Sequence, residues 1–148
     1  MNPSIIELEK FITQNLQSEN FLKNEVEKKE HEKHDLLQDI SLGIIDILDS
    51  FERVEESLSE KGQDKSEDAI KTINRYRTIQ KKLINFLNKY GISKIEFPDN
   101  RLIVGLCEVV ETEPDSYRKN DDIVSIVRSG YIRGKELIRA AQIIVVKN

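Results

Sequence analysis

Two histidines, His31 and His34, stand three residues apart in a charged stretch, with Glu30 and Asp35 beside them. On a helix that spacing brings both imidazoles to one side, where a metal ion could meet them. Zinc sites need three or four ligands, however, and nothing here matches His-Glu-x-x-His, so two solvated histidines account for the pattern better. The one cysteine, Cys107, lies in an apolar segment without a His or basic neighbour, which suits a buried structural thiol more than a nucleophile. Gly130 and Gly134 lack the Gly-Lys-Ser/Thr ending of a phosphate-cradling loop. What remains is charge: over residues 128–148 five basic residues, Arg128, Arg133, Lys135, Arg139 and Lys147, stand against one acid, Glu136. That is a surface suited to an acidic partner, or else a scattered solvated face.

Whole-chain composition narrows the classes. Of 148 residues, 34% are charged and 38% hydrophobic, with no Trp, a balance that favours long solvated helices over a compact enzyme core. A formal charge of −4 argues against nucleic acid as a partner, because phosphate binding needs a concentrated excess of Lys and Arg. One cysteine cannot form an intramolecular disulfide and fits a reducing compartment. No basic, apolar secretory start and no stretch of about 20 apolar residues is present, so a cytoplasmic protein without a membrane partner is expected. No cofactor is expected either.

Prolines and glycines divide the chain. Pro3 and Pro98 bracket a stretch free of proline in which only Gly43, Gly62 and Gly91 interrupt, and that is helical territory. Leu36, Ile40, Ile44, Ile47, Phe51, Val54 and Leu58 follow one another at spacings of four and three, one stripe on a helix face. Extended upstream, the register meets Ile5, Leu8, Ile12, Leu22 and Val26, broken by Asn15, Glu19, Lys29 and Lys33, which makes the upstream part a weaker coiled coil. A single helix over residues 4–59 would run on the order of 80 Å, too long to bury its stripe on its own small chain. A homodimer paired through Ile40, Ile44, Ile47, Phe51, Val54 and Leu58 solves this. The alternative is a short helix over residues 5–22 folded back, with residues 25–35 as a solvated linker. Residues 60–64 then read as a turn, with Asp64 and Glu67 as a capping box for a second helix that runs to Tyr90. Its buried face is expected at Ala69, Ile70, Ile73, Tyr76, Leu83, Phe86, Leu87 and Tyr90, and Gly91 as its left-handed cap. Two such hairpins would close a four-helix bundle in the dimer.

Beyond Gly91 the period changes. Residues 92–97, 102–110, 123–128, 131–138 and 142–147 are short, rich in Ile and Val, and separated by Pro, Asp, Asn or Gly, so they read as strands. Gly130, within Arg128-Ser129-Gly130-Tyr131, is expected to take a positive φ in a tight hairpin. The fold class is therefore α+β: a long dimerisation helix (coiled-coil region 1–35), a helical hairpin (36–91) and a small all-β domain (92–148), sandwich or open barrel.

In this order of elements the chain resembles the GrpE family of nucleotide exchange factors. The resemblance is carried by Leu36-Leu37-Gln38-Asp39 leading into Ile47-Leu48-Asp49-Ser50-Phe51-Glu52-Arg53-Val54, and by Phe86-Leu87-Asn88-Lys89-Tyr90-Gly91-Ile92 at the junction. Gly130-Tyr131, Ile138-Arg139-Ala140-Ala141 and the closing Ile143-Ile144-Val145-Val146-Lys147 are similar to the family's last hairpin and strand. Two departures stand out. The family's Phe-Asp-Pro-x-x-His-Glu-Ala segment is replaced by Phe97-Pro98-Asp99-Asn100-Arg101-Leu102, and Glu136 occupies a position where members commonly carry an Arg implicated in chaperone contact. The family's acidic N-terminal tail is expected to be short or absent.

The resemblance implies a non-enzymatic homodimer that binds the nucleotide-binding domain of a DnaK-type chaperone and expels ADP, with Gly130, Tyr131, Arg133, Lys135 and Arg139 at the contact. No catalytic group is needed, since a partner that prefers the open nucleotide cleft weakens ADP binding by linkage alone. Two other classes stay open: a dimeric coiled-coil adaptor without exchange activity, and a nucleic-acid-binding barrel. The barrel would ordinarily interleave aromatics with Lys and Arg, whereas Tyr131 stands nearly alone between Arg128 and Arg133.

Overall fold

The computed structural model describes residues 2–148. One helix, α1, covers Pro3–Glu60, and the charged run at residues 25–35 is helical within it. A turn with Gly62 at φ +63° leads to α2, Glu67–Lys89. The cap of α2 is Ser66, whose hydroxyl accepts from the Ala69 amide at 3.1 Å. The expected Asp64/Glu67 box is thus displaced by two residues, because a Ser at the N-cap reaches the third amide of the helix directly. At the other end the expected cap is found: Gly91 has φ +76° and donates its amide to the Asn88 carbonyl.

Two compact units divide between Asp39 and Ile40. In the first, every residue from 2 to 33 is exposed, Leu8, Phe11, Phe21 and Leu22 among them. Within this unit no tertiary packing supports residues 3–33 of the helix, and short-range hydrogen bonding alone leaves helices marginal in water. We expect circular dichroism to show this part melting at a lower temperature than the remainder; one sharp transition for all helix would contradict it.

The second unit joins the rest of α1 and α2 to six strands: β1 Ile92–Lys94, β2 Cys107–Glu113, β3 Ile123–Arg128, β4 Tyr131–Arg133, β5 Glu136–Arg139 and β6 Ala141–Val146. They form two three-stranded sheets, β1-β4-β5 and β2-β6-β3, with only β2 and β6 running parallel. Several expected strands are shorter. Residues 103–106 form a turn with Gly105 at φ +87°, and residues 131–138 break at Gly134, φ +59°, into the two strands of a hairpin. The hairpin expected at residues 128–131 does not exist, since β3 pairs with β6 while β4 pairs with β1 and β5. Ser129 and Gly130 instead carry the chain from one sheet to the other, and Gly130 is not among the positive-φ residues.

Two cores result. Ile45 and Leu48 of α1, Leu87 of α2, Ile92, Tyr131 and Ile138 form the first, flanked by Leu42, Ile44, Leu83 and Ile84. Helices and the first sheet therefore share one interior. Each such Ile or Leu removed from water contributes up to about 1.5–3 kcal/mol. Ile123, Ala141, Ile143 and Val145 make the second core, with Phe97, Leu102 and Cys107 against it. Of the expected buried face of α2, Ile73 and Leu87 are buried, whereas Ile70, Phe86 and Tyr90 are exposed. On α1 the buried residues are Ser41, Ile45, Leu48 and Asp49; Ile40, Ile47 and Val54 of the expected stripe are about half exposed, and Ile44, Phe51 and Leu58 partly buried. The reason is geometric: the β domain occupies the neighbouring face of α1, so the face the chain buries is rotated from the a/d stripe.

Candidate functional site

Asp49 is the only acid in the buried set of α1, one position beyond Leu48 and four beyond Ile45, so it continues the face that meets the β domain. Its carboxylate is met by two arginines. Arg139 of β5 donates from Nη1 to Oδ2 and from Nη2 to Oδ1, both at 2.7 Å, a fork-on-fork pair. Arg128, at the end of β3, donates from Nε to Oδ2 at 2.9 Å. The Arg139 guanidinium also reaches the Ser129 carbonyl, at 2.6 Å from Nη2, and lies over the Tyr131 ring at 5.6 Å from its centroid. One turn along α1, Glu52 accepts from the Ser129 hydroxyl at 3.2 Å and pairs with Lys94 of β1.

Burial alone would push the Asp49 carboxyl upward, but hydrogen bonds from Arg139 and Arg128 and their charges outweigh it and hold the group below its ordinary 3.8. Tyr131 moves the other way. Burial, reinforced by the charges of Glu52 and Asp49, raises its phenol to about 12. A raised acid contributes stability below its unfolded value of 10.0, which is lost as pH rises towards the folded value. We therefore expect phenolate absorbance to show a tyrosine that ionises only near pH 12 or together with unfolding; Tyr131→Phe should remove that phase, and its persistence would reassign it.

The residues expected at a partner contact separate into two groups. Gly130 and Tyr131 are buried, and the Arg139 side chain is only 14% exposed. These three build the support. Arg133 in β4 is half-buried and Lys135, in the turn after it, exposed. Arg139, turned onto Asp49, is withdrawn from the basic surface expected over residues 128–148, whereas Arg128, bonded to the same carboxylate, stays 43% exposed beside Arg133, Lys135 and Lys147. Glu136 faces Arg133 across the β4–β5 pair. Sequence reasoning missed Asp49 and Glu52; the available signal was an acid next to the helix positions that become apolar core.

Elsewhere the chemistry is plain. His31 and His34 each lie within 3.6 Å of Asp35, and no group of three or more His, Cys, Asp or Glu among the described residues could hold a metal ion. Cys107 is partly buried, and its thiol donates to the Ile103 carbonyl at 3.1 Å. No helix among the described residues is long and apolar enough to cross a membrane.

A long helix and a helical hairpin that carry a two-sheet β domain on a buried carboxylate define a class of helical scaffold that presents a small β module. Within that class the chain belongs to the GrpE family, whose model matches residues 5–147. Relatives bearing the name Protein GrpE include those of Prochlorococcus marinus strain MIT 9515 (27% identical over 124 residues, 82% of this chain and 50% of the relative) and Porphyromonas gingivalis strain ATCC 33277 (29% over 119 residues, 77% and 59%). That of Methanosarcina barkeri is 24% identical over 147 residues, covering 95% of this chain and 66% of the relative. The chain thus spans between half and two thirds of the length of these curated relatives.

Proposed function

We propose that the chain is a nucleotide exchange factor that binds the nucleotide-binding domain of a DnaK-type chaperone and promotes ADP release without a chemical step of its own. Family membership over nearly the whole chain is the observation that carries this reading. The β4–β5 hairpin supports it: Arg133 and Lys135 stand at its turn, on a base fixed to α1 by Asp49. Differential affinity for the open cleft is all that exchange requires.

A homodimer belongs to the same proposal. Half-exposed Ile40, Ile47 and Val54 on α1 and exposed Ile79, Phe86 and Tyr90 on α2 leave apolar stripes that a second copy would cover, as in a four-helix bundle. Ile47→Asp with Val54→Asp should shift sedimentation towards the monomer; an unchanged assembly would remove these residues from the interface.

The test of function is release of a fluorescent ADP analogue from a DnaK-type chaperone with and without this protein. Acceleration is expected, and Arg133→Glu with Lys135→Glu should raise the half-saturating concentration about tenfold or more, the scale of losing complementary charge at an interface. Absence of acceleration by the folded protein would favour the adaptor reading.

A further inference from the structure

Asp49 and Glu52 do more than close a core. Both sit on one face of α1, a turn apart, and between them they hold the chain where it passes from one sheet to the other. Asp49 takes Arg128 from the end of β3 and Arg139 from the end of β5, while Glu52 takes the Ser129 hydroxyl and Lys94 from the end of β1. Ser129 is tied a second time, through its carbonyl to Arg139. Gly130 adds a contact without slack, since even a methyl group there would stand 2.4 Å from the Ala141 amide nitrogen. Strands of both sheets are thus fixed to two carboxylates of one helix. Apolar packing such as that of Ile45, Leu48 and Tyr131 is non-directional, whereas charge-assisted hydrogen bonds set an angle.

Orientation bears on exchange for a thermodynamic reason. A ligand shifts an equilibrium only by its difference in affinity for the two states, and one that fits both equally shifts nothing however tightly it binds. A β domain free to swivel on α1 would follow its partner through closed and open cleft alike. A clamped one fits a single geometry.

We propose that Asp49 and Glu52 are positioning residues for nucleotide exchange, clamping the junction between the two sheets to α1 so that binding discriminates between cleft states. The inference rests on the exchange-factor reading above. In Asp49→Asn, the maximal rate of ADP-analogue release at saturating protein should fall about tenfold, while the half-saturating concentration moves by less than about threefold, because the contact surface is kept and only its discrimination is lost. Glu52→Gln, which keeps an acceptor for Ser129, should change in the same direction by less. Spin labels at Ser59→Cys and Lys147→Cys in a Cys107→Ser background should report a broadened distance distribution in Asp49→Asn with the far-ultraviolet spectrum unchanged. Half-saturating concentration and maximal rate that worsen together, or a distribution as narrow as in the unaltered chain, would overturn the clamp while leaving exchange intact. If the unaltered chain accelerates nothing, the exchange reading falls and the clamp's role falls with it. Should Asp49→Asn not fold, the same two measurements on Glu52→Gln decide: a lower maximal rate with a broadened distribution supports the clamp, and no change in either overturns it.

Discussion

Asp49→Ala is expected to destabilise the unit from Ile40 onward by about 3–5 kcal/mol in urea unfolding, because it strands the buried Arg139 guanidinium without its counter-charge. Arg128 is 43% exposed on its side chain and can turn to water; Arg139, at 14%, cannot. Removal of both partners should cost far less than the sum of the single changes: Asp49→Leu with Arg139→Met replaces an ion pair by apolar volume, and such exchanges are often near neutral. A double variant as unstable as Asp49→Ala would show that the pair is not coupled. Acid supplies a second handle. A carboxyl held below its ordinary value contributes its stability in full above 3.8 and loses it as pH falls through the folded value. Acid unfolding of the unaltered protein should therefore be steeper below about pH 4 than that of the double variant, which lacks the group. Identical acid limbs would show that Asp49 contributes nothing to stability in acid.

Gly130→Ala is expected to cost about 3 kcal/mol or more, a large effect for one methyl group, since overpacking ordinarily costs about 1–3 kcal/mol. The added Cβ would meet the Ala141 amide nitrogen at 2.4 Å, the Ala141 Cα at 2.9 Å and the Ile95 Cδ1 at 2.8 Å. Ile95 can rotate away. Backbone cannot, and Ala141 starts β6, the central strand of its sheet, with its amide bonded to the Leu106 carbonyl. Moving it would disturb β2 and β3 together. The contrasting variant is Gly134→Ala, where nothing lies within 4 Å of the added atom and only the positive φ is strained, at roughly 1 kcal/mol. Equal losses at the two positions would refute the close-approach account. The contrast also bears on function: exchange lost on replacing Gly130 reports a damaged β domain, whereas loss through Arg133 and Lys135 reports a contact.

Much of the fold was legible because local chemistry decides it. The proline-free stretch gave way to helix as its spacing predicted, Gly91 ended α2 in the left-handed region, and Ile- and Val-rich runs after it became strands. These are decisions of one turn or one pleat, made by residues a few positions apart. Family membership was legible too, because the motifs that carry it are contiguous. At the junction between the sheets, by contrast, neighbours in space overrode neighbours in sequence. Ser129-Gly130 has the composition of a hairpin turn, yet β3 finds its partner in β6, so the glycine serves close approach to Ala141 instead of a positive φ.

The candidate site shows the same division. Arg128, Arg133, Lys135 and Arg139 carry equal formal charge in the sequence, and counting them suggested one basic surface. Their different fates follow from Asp49, which lies 79 residues before Arg128 and 90 before Arg139. Sequence by itself determined the helices, the strand-rich terminus, the family and the apolar stripe on α1. Tertiary structure decided which face of α1 turns inward and which arginines become structure, leaving Arg133 and Lys135 at the hairpin turn, because burying a carboxylate is tolerable only where folding delivers cations to meet it.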